Sequence, residues 1–267
     1  MPSRHRKGAP GSGVVMDNLK STDADRGERR PKLGQRLAQQ IVDEICEQGM
    51  VAGDKLPSEA KSMESYQVGR ATLREALRML EAHGVVVVRP GPGGGPMVSG
   101  TATADLANAM KLHLQLRGAV YEDVVAGRVA IEPFLARMAA EHQDPAGMIQ
   151  LHEVMADLEK VDFNDGTAFH AISTRFHRAL GATSGNRLVD LQAAVLLEIF
   201  NARILPEVDL PREERPGVVR VFRLIAQAIF DGEAQLAEKR VRRMLEYYWS
   251  YVQSNFPLVA KERIRWQ

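Results

Sequence analysis

Leu56-Pro57-Ser58-Glu59, followed by Val68-Gly69-Arg70-Ala71-Thr72-Leu73-Arg74-Glu75-Ala76-Leu77-Arg78-Met79-Leu80-Glu81-Ala82-His83-Gly84, decides the fold of this chain. The stretch reads as a short helix at about 58–66, a tight turn, a second helix at 69–82 and a stop. Ser58 is a good N-cap, and Pro57 before it keeps the chain extended. Gly69 is expected to supply the turn. Leu73, Ala76, Leu77 and Leu80 recur at helical spacing and make a buried stripe. Arg70, Arg74 and Arg78 lie four apart and so share another face. Gly84 is the candidate C-cap. A helix with one apolar and one arginine face suits packing on a core and lying in a DNA groove together.

Outward from this pair, Leu33, Leu37, Ile41 and Ile45 predict an amphipathic first helix that ends near Gly49. Val85-Val86-Val87-Val88 and Met97-Val98-Ser99 are short β runs, separated by the glycine- and proline-rich tip 89–96. These elements complete a winged helix-turn-helix domain at 31–100. The tip 91–95 lacks the Lys-Ser/Thr of a phosphate-binding loop, and no helix opens directly after it. Residues 1–30 hold seven Lys/Arg and four Asp/Glu with few large apolar residues, and are expected to be a disordered arm.

Residues 101–256 carry helical periodicity at about 103–116, 120–142, 145–161, 166–181, 185–204, 213–231 and 233–255, with glycine, proline and Asn/Asp breaks between. They predict an all-α antiparallel helical bundle, leaving 257–267 as a C-terminal tail. The fold class is therefore mainly α, a winged helix-turn-helix followed by a bundle.

The chain has 267 residues, 45% hydrophobic and 26% charged, which is ordinary for globular protein and long enough for two domains. No apolar run approaches the roughly 20 residues of a membrane helix, so a cytoplasmic location is expected. Net charge is only +1. Positive charge is instead local: Arg70, Arg74, Arg78 and Arg89 stand against Glu75 and Glu81 in 70–89. The single cysteine, Cys46, excludes an intrachain disulfide. Its neighbours Leu37, Ile41, Val42 and Ile45 suggest a small core residue.

The Leu56-Pro-Ser-Glu59 and Val68–Leu77 motifs, with Gly91 in the wing, resemble the DNA-binding domain of the GntR family of bacterial transcription regulators. Arg128-Val-Ala-Ile-Glu132, Arg175-Phe-His-Arg-Ala-Leu180 with Ser184-Gly-Asn186, and Ala228-Ile-Phe-Asp-Gly-Glu233 resemble the FCD domain of its FadR subfamily. The resemblance implies that Arg70 and Arg74 contact double-stranded operator DNA. It places Thr72 and Gly91 close to the DNA backbone and puts Ser58 in the same set. Arginine suits either role there, bidentate to guanine or paired with phosphate. Relatives usually carry arginine directly after Leu-Pro-Ser-Glu, where this chain has Ala60.

Many FCD domains hold a divalent metal on an aspartate and three histidines. Those positions correspond here to Ser173, His177, Phe222 and Met244. One histidine, a serine, a phenylalanine and a thioether do not make a zinc site, so no metal and no cofactor are expected. His170, two turns before His177, is the one other histidine that a divergent site could use. A metal-free relative in the subfamily responds to acyl-CoA, which suggests an acyl or lipid-like effector bound by Arg128, Ser173, His177, Phe222 and Met244. Arg175 and Arg203 are further partners for an anionic head, provided they face inward.

The expected function is a DNA-binding transcription regulator, a repressor by family habit, controlled by a small-molecule effector and acting as a homodimer. An alternative is an enzyme with an α-helical catalytic domain and a vestigial winged helix. Seven scattered histidines with no nucleophile–base or metal motif at diagnostic spacing speak against it. A third reading, a winged helix used for protein contacts, would not require the arginine face.

Overall fold

The computed structural model describes residues 32–91, 94–99, 103–208 and 210–266. The arm expected at 1–30, and the wing-tip residues 92 and 93, lie outside the described residues. The chain divides into two units, 1–98 and 99–267.

In the first unit, helix α1 (Leu33–Glu47) places Leu37, Ala38, Ile41 and Ile45 against Leu73, Ala76, Leu77 and Leu80 of α3 (Arg70–Ala82). The stripe expected on α3 is therefore the stripe that is buried. Two members of the α1 reading fall elsewhere: Leu33 is half exposed at the helix start, and Cys46 is exposed. Cys46 follows Ile45 directly, so the 100° step of the helix turns it off the buried face.

Helix α2 (Glu59–Tyr66) is capped by Ser58, whose side chain accepts the Lys61 N–H at 3.4 Å. The turn to α3 corrects the expectation for Gly69. Gln67 takes the left-handed conformation at φ +51°, while Gly69 is extended at φ −74° and only caps α3. Helix α3 ends in a Schellman arrangement. Gly84, at φ +68°, donates to the Glu81 carbonyl at 3.0 Å, and Val85 donates to Leu80 at 2.8 Å.

The bond to Leu80 takes Val85 out of the strand, so β1 is Val86–Arg89. It pairs antiparallel with β2 (Gly95–Val98), with Val86 opposite Val98 and Arg89 opposite Gly95. The segment before α2 pairs with the other edge of β2: Leu56 donates to the Pro96 carbonyl at 3.0 Å, and Val98 donates to the Asp54 carbonyl at 2.8 Å.

The second unit is helical: α4 (Thr103–Leu116), α5 (Tyr121–His142), α6 (Pro145–Leu158), α7 (Gly166–Thr183), α8 (Arg187–Glu207), α9 (Arg215–Phe230), α10 (Ala234–Asn255) and α11 (Pro257–Ala260). Two of the breaks legible in the sequence are N-caps: Asp144 accepts from Ala146 and Gly147, and Asp165 from Ala168. Asn186, at the end of the Ser184-Gly-Asn186 motif, caps α8 by accepting from Leu188 and Val189. Gly147 is required for packing as well, because a Cβ there would lie 2.3 Å from the Thr183 backbone nitrogen.

Helix α5 packs against α7, α8, α9 and α10 and is the centre of the bundle. Being covered from several sides, it buries charged Arg128 and Glu132 together with its apolar residues. Pro133 removes one helical N–H in its middle. The Val129 carbonyl left over accepts Arg242 Nη1 at 3.4 Å.

The C-terminal segment is packed where the sequence suggests a tail. Val259 and Ile264 enter the core formed by α4, α5 and α8. Tyr121 donates to the Glu262 carbonyl at 3.1 Å, and Ile264 donates to Ala119 at 2.9 Å. The residues that hold it are scattered apolar positions without helical period, which is why periodicity does not reveal it.

Candidate functional site

Two places carry chemistry. The first is the outward face of α3. Arg70, Arg74 and Arg78 are exposed there, and Thr72 is half-buried one turn from the N-terminus. Ser58 at the α2 N-cap and Gly91 in the wing, at φ +100°, are exposed too. Ala60, where the family resemblance implies an arginine, is exposed on α2.

The acidic residues of α3 point away from the arginines. Glu75 lies against Gly34 of α1, its carboxyl 2.8 Å from where a Cβ on Gly34 would stand. Glu81 accepts the Val88 N–H of β1 at 3.2 Å. The one carboxylate paired with the arginine face among the described residues is Glu59, whose Oε2 is 3.5 Å from Arg74 Nε. The face can therefore present positive charge despite the chain's near-neutral total.

The second place is a cavity of about 710 Å³ inside the helical unit. Arg128, Ser173, His177, Phe222 and Met244, which come from α5, α7, α9 and α10, all line it. Most of the remaining wall is apolar or aromatic, including Phe169, Phe200, Leu197 and Val221. Exposed Glu213, Arg243 and Tyr247 mark its solvent side.

Its polar end is a buried triad. Arg128, 4% exposed, donates from Nε to Glu132 Oε1 at 2.5 Å, and the second oxygen of Glu132 lies 2.7 Å from His177 Nδ1. The guanidinium stacks over the Phe200 ring at 4.4 Å. Burial pushes the Glu132 carboxyl up, but the charges of Arg128 and His177 and their hydrogen bonds outweigh it and hold the group at about 2. Glu132 is thus a fixed carboxylate. It was legible only as part of the Arg128–Glu132 motif; its spacing of four from Arg128 was the signal that they pair.

Ser173, His177, Phe222 and Met244, the positions that the resemblance implies as metal ligands, do meet in this cavity, but their chemistry does not fit a divalent cation. Phe222 stacks on Phe176 with centroids 4.0 Å apart and sets its ring edge-on to His177. The Ser173 hydroxyl donates to the Phe169 carbonyl at 2.8 Å. His170 lines the same cavity. Among the described residues no three His, Cys, Asp or Glu side chains are grouped to hold a metal. Arg175 and Arg203 are outside the cavity wall. Arg175 pairs with Asp157 at 2.9 Å, and Arg203 with Glu262 at 2.5 Å and Glu207 at 2.8 Å.

Comparison with known proteins gives the family. Residues 33–94 match the bacterial regulatory proteins of the gntR family, and 123–247 match the FCD domain. The HTH-type transcriptional repressor NanR of Edwardsiella tarda is 30% identical over 66% of this chain and 69% of its own length. The uncharacterised HTH-type transcriptional regulator YcbG of Bacillus subtilis is 28% identical over 87% of this chain and 95% of its own. The solved structure of a Streptococcus agalactiae GntR protein has the same fold, with a TM-score of 0.61 at 22% identity, covering 80% of this chain and 98% of that one. The chain belongs to the GntR family of DNA-binding transcription regulators and joins a gntR-type helix-turn-helix to an FCD effector-binding domain.

Proposed function

We propose that this regulator is a repressor that holds a two-fold operator as a homodimer and is controlled by a small, largely apolar metabolite in the 710 Å³ cavity. The observation that carries the reading is the exposed Arg70/Arg74 face on a helix whose opposite face is the domain core. Each subunit lays α3 in a major groove. Arg70 and Arg74 meet bases or phosphates, Thr72 and the Gly91 wing approach the backbone, and Ser58 holds the start of α2 beside them.

The effector site is supported by the convergence of Arg128, Ser173, His177, Phe222 and Met244 on one cavity. Affinity comes chiefly from apolar burial, about 0.8 kcal/mol per CH2, with the Arg128–Glu132–His177 end setting orientation. An acyl or lipid-like body fits such a wall. Effector and operator affinities are linked reciprocally, so the same factor appears in both.

The test is binding to DNA upstream of the chain's own and neighbouring genes, followed by fluorescence anisotropy. Replacing Arg70 and Arg74 by alanine abolishes operator binding while the circular dichroism spectrum is kept. Unchanged binding overturns the assignment of these residues.

A further inference from the structure

The arginines and carboxylates around the cavity are equal in number. Three arginines line it: Arg128, Arg240 and Arg243. Glu213 and Glu214 line it too, and Glu132 stands directly behind the polar end, bonded to Arg128 and His177. Arg240 is committed to the Leu224 carbonyl. The two other arginines that could have served an anion, Arg175 and Arg203, each hold carboxylates elsewhere. No metal donor set stands in for them: Phe222 and Met244 line the cavity, and among the described residues no three His, Cys, Asp or Glu side chains are grouped to hold a cation.

A ligand carboxylate seated at Arg128 would therefore share one guanidinium with the ionised Glu132, inside an apolar wall that screens poorly. Like charges so placed repel, and desolvating the second carboxylate adds to the cost. A neutral carbonyl escapes both penalties. It can accept from the Arg128 N–H groups not used by Glu132, because Nε alone makes that bond among the described residues. In the wall of the same cavity, Asn201 donates from Nδ2 to Thr174 Oγ1 at 3.0 Å, which leaves the Asn201 carbonyl and the Thr174 O–H for a neutral polar group.

We propose that the cavity takes an uncharged ligand, an apolar chain or ring ending in a neutral carbonyl such as an amide, ester or lactone, and that the Arg128–Glu132 pair excludes free carboxylic acids. This rests on the cavity being the effector site. The ion pair thus acts as a charge filter: it offers hydrogen-bond donors from Arg128 without offering net charge.

Isosteric pairs test it. Decanoate and decanamide, and naphthoate and naphthamide, differ within each pair in charge and little in shape. Binding is read at neutral pH by calorimetry and by the shift in unfolding midpoint, on the full chain. The expected result is that at least one amide binds about ten-fold or more tightly than its acid, a difference of about 1.4 kcal/mol. In Glu132→Gln the Arg128 charge is uncompensated, and the preference narrows or reverses. An acid binding as tightly as its amide overturns the charge filter but leaves the effector site standing. An amide preference that survives unchanged in Glu132→Gln also overturns it. No binding by any of the four probes overturns the filter and the apolar-effector reading together. Should the variant fail to fold, the comparison in the native protein decides.

Discussion

The carboxylate of Glu59, the first residue of α2, lies 3.5 Å from Arg74 Nε on the exposed face of α3. Both side chains are substantially exposed, so the pair is worth at most about 1 kcal/mol and leaves Arg74 available to DNA. Arg74→Ala is expected to cost about 1–3 kcal/mol of operator binding if the side chain reads a base. Glu59→Gln is expected to change operator affinity by less than about five-fold, the equivalent of about 1 kcal/mol. Anisotropy titrations of both variants check this. A larger loss in Glu59→Gln than in Arg74→Ala would make Glu59 the residue that contacts DNA.

Ala60 is exposed one position after Glu59, where the family resemblance implies an arginine. Ala60→Arg is expected to add one phosphate contact. The slope of log affinity against log salt then steepens by about 0.9. An unchanged slope places this position away from the DNA backbone.

Glu132 makes stability depend on pH. Its carboxyl is held at about 2, below its ordinary value of 4.5, because Arg128 and His177 together outweigh the burial that opposes ionisation. A carboxyl lowered on folding stabilises above its unfolded value and loses that contribution as pH falls through the folded one. Glu132→Gln is thus expected to unfold more easily at neutral pH, with the gap closing between pH 4.5 and about 2. Removing one partner of a buried pair costs about 3–5 kcal/mol. Denaturation curves at several pH values measure it, and a gap that grows on acidification contradicts the arrangement.

Zinc and chelator are expected to leave the unfolding midpoint of the native chain unchanged. The triple change Ser173→Asp, Phe222→His, Met244→His supplies three ligands around His177 in the same cavity and is expected to gain zinc-dependent stability. Loss of the Phe222 stack on Phe176 lowers its metal-free midpoint. Metal analysis of the purified native chain is the direct check. Stoichiometric zinc in it would overturn the metal-free reading.

Ile264 is 0% exposed although it lies three residues from the end of the chain. Ile264→Ala is expected to cost about 2–5 kcal/mol, as for other buried aliphatics. Removing 257–267 takes Val259 out of the core together with Ile264 and should lower the midpoint further. A truncated chain as stable as the full one would show the segment to be a tail after all.

The sequence by itself determined the winged helix and the bundle, because both follow from local period. The buried α3 stripe and its arginine face are set by spacing along one helix. Ser58, Asp144, Asp165 and Asn186 write helix starts into the chain directly. Local signals fail where a residue's role depends on distant neighbours. Gln67 takes the positive φ that Gly69 could have taken, and Cys46 turns away from the apolar residues that surround it in sequence. The C-terminal segment finds its partners Ala119 and Tyr121 far back along the chain. The cavity shows the same division. Its residues could be named from motif positions, but each lies on a different helix or turn. Only packing could bring Arg128 and Glu132 of α5 against His177 of α7 and Phe200 of α8, and only that contact makes the polar end a neutral ion pair instead of a free arginine.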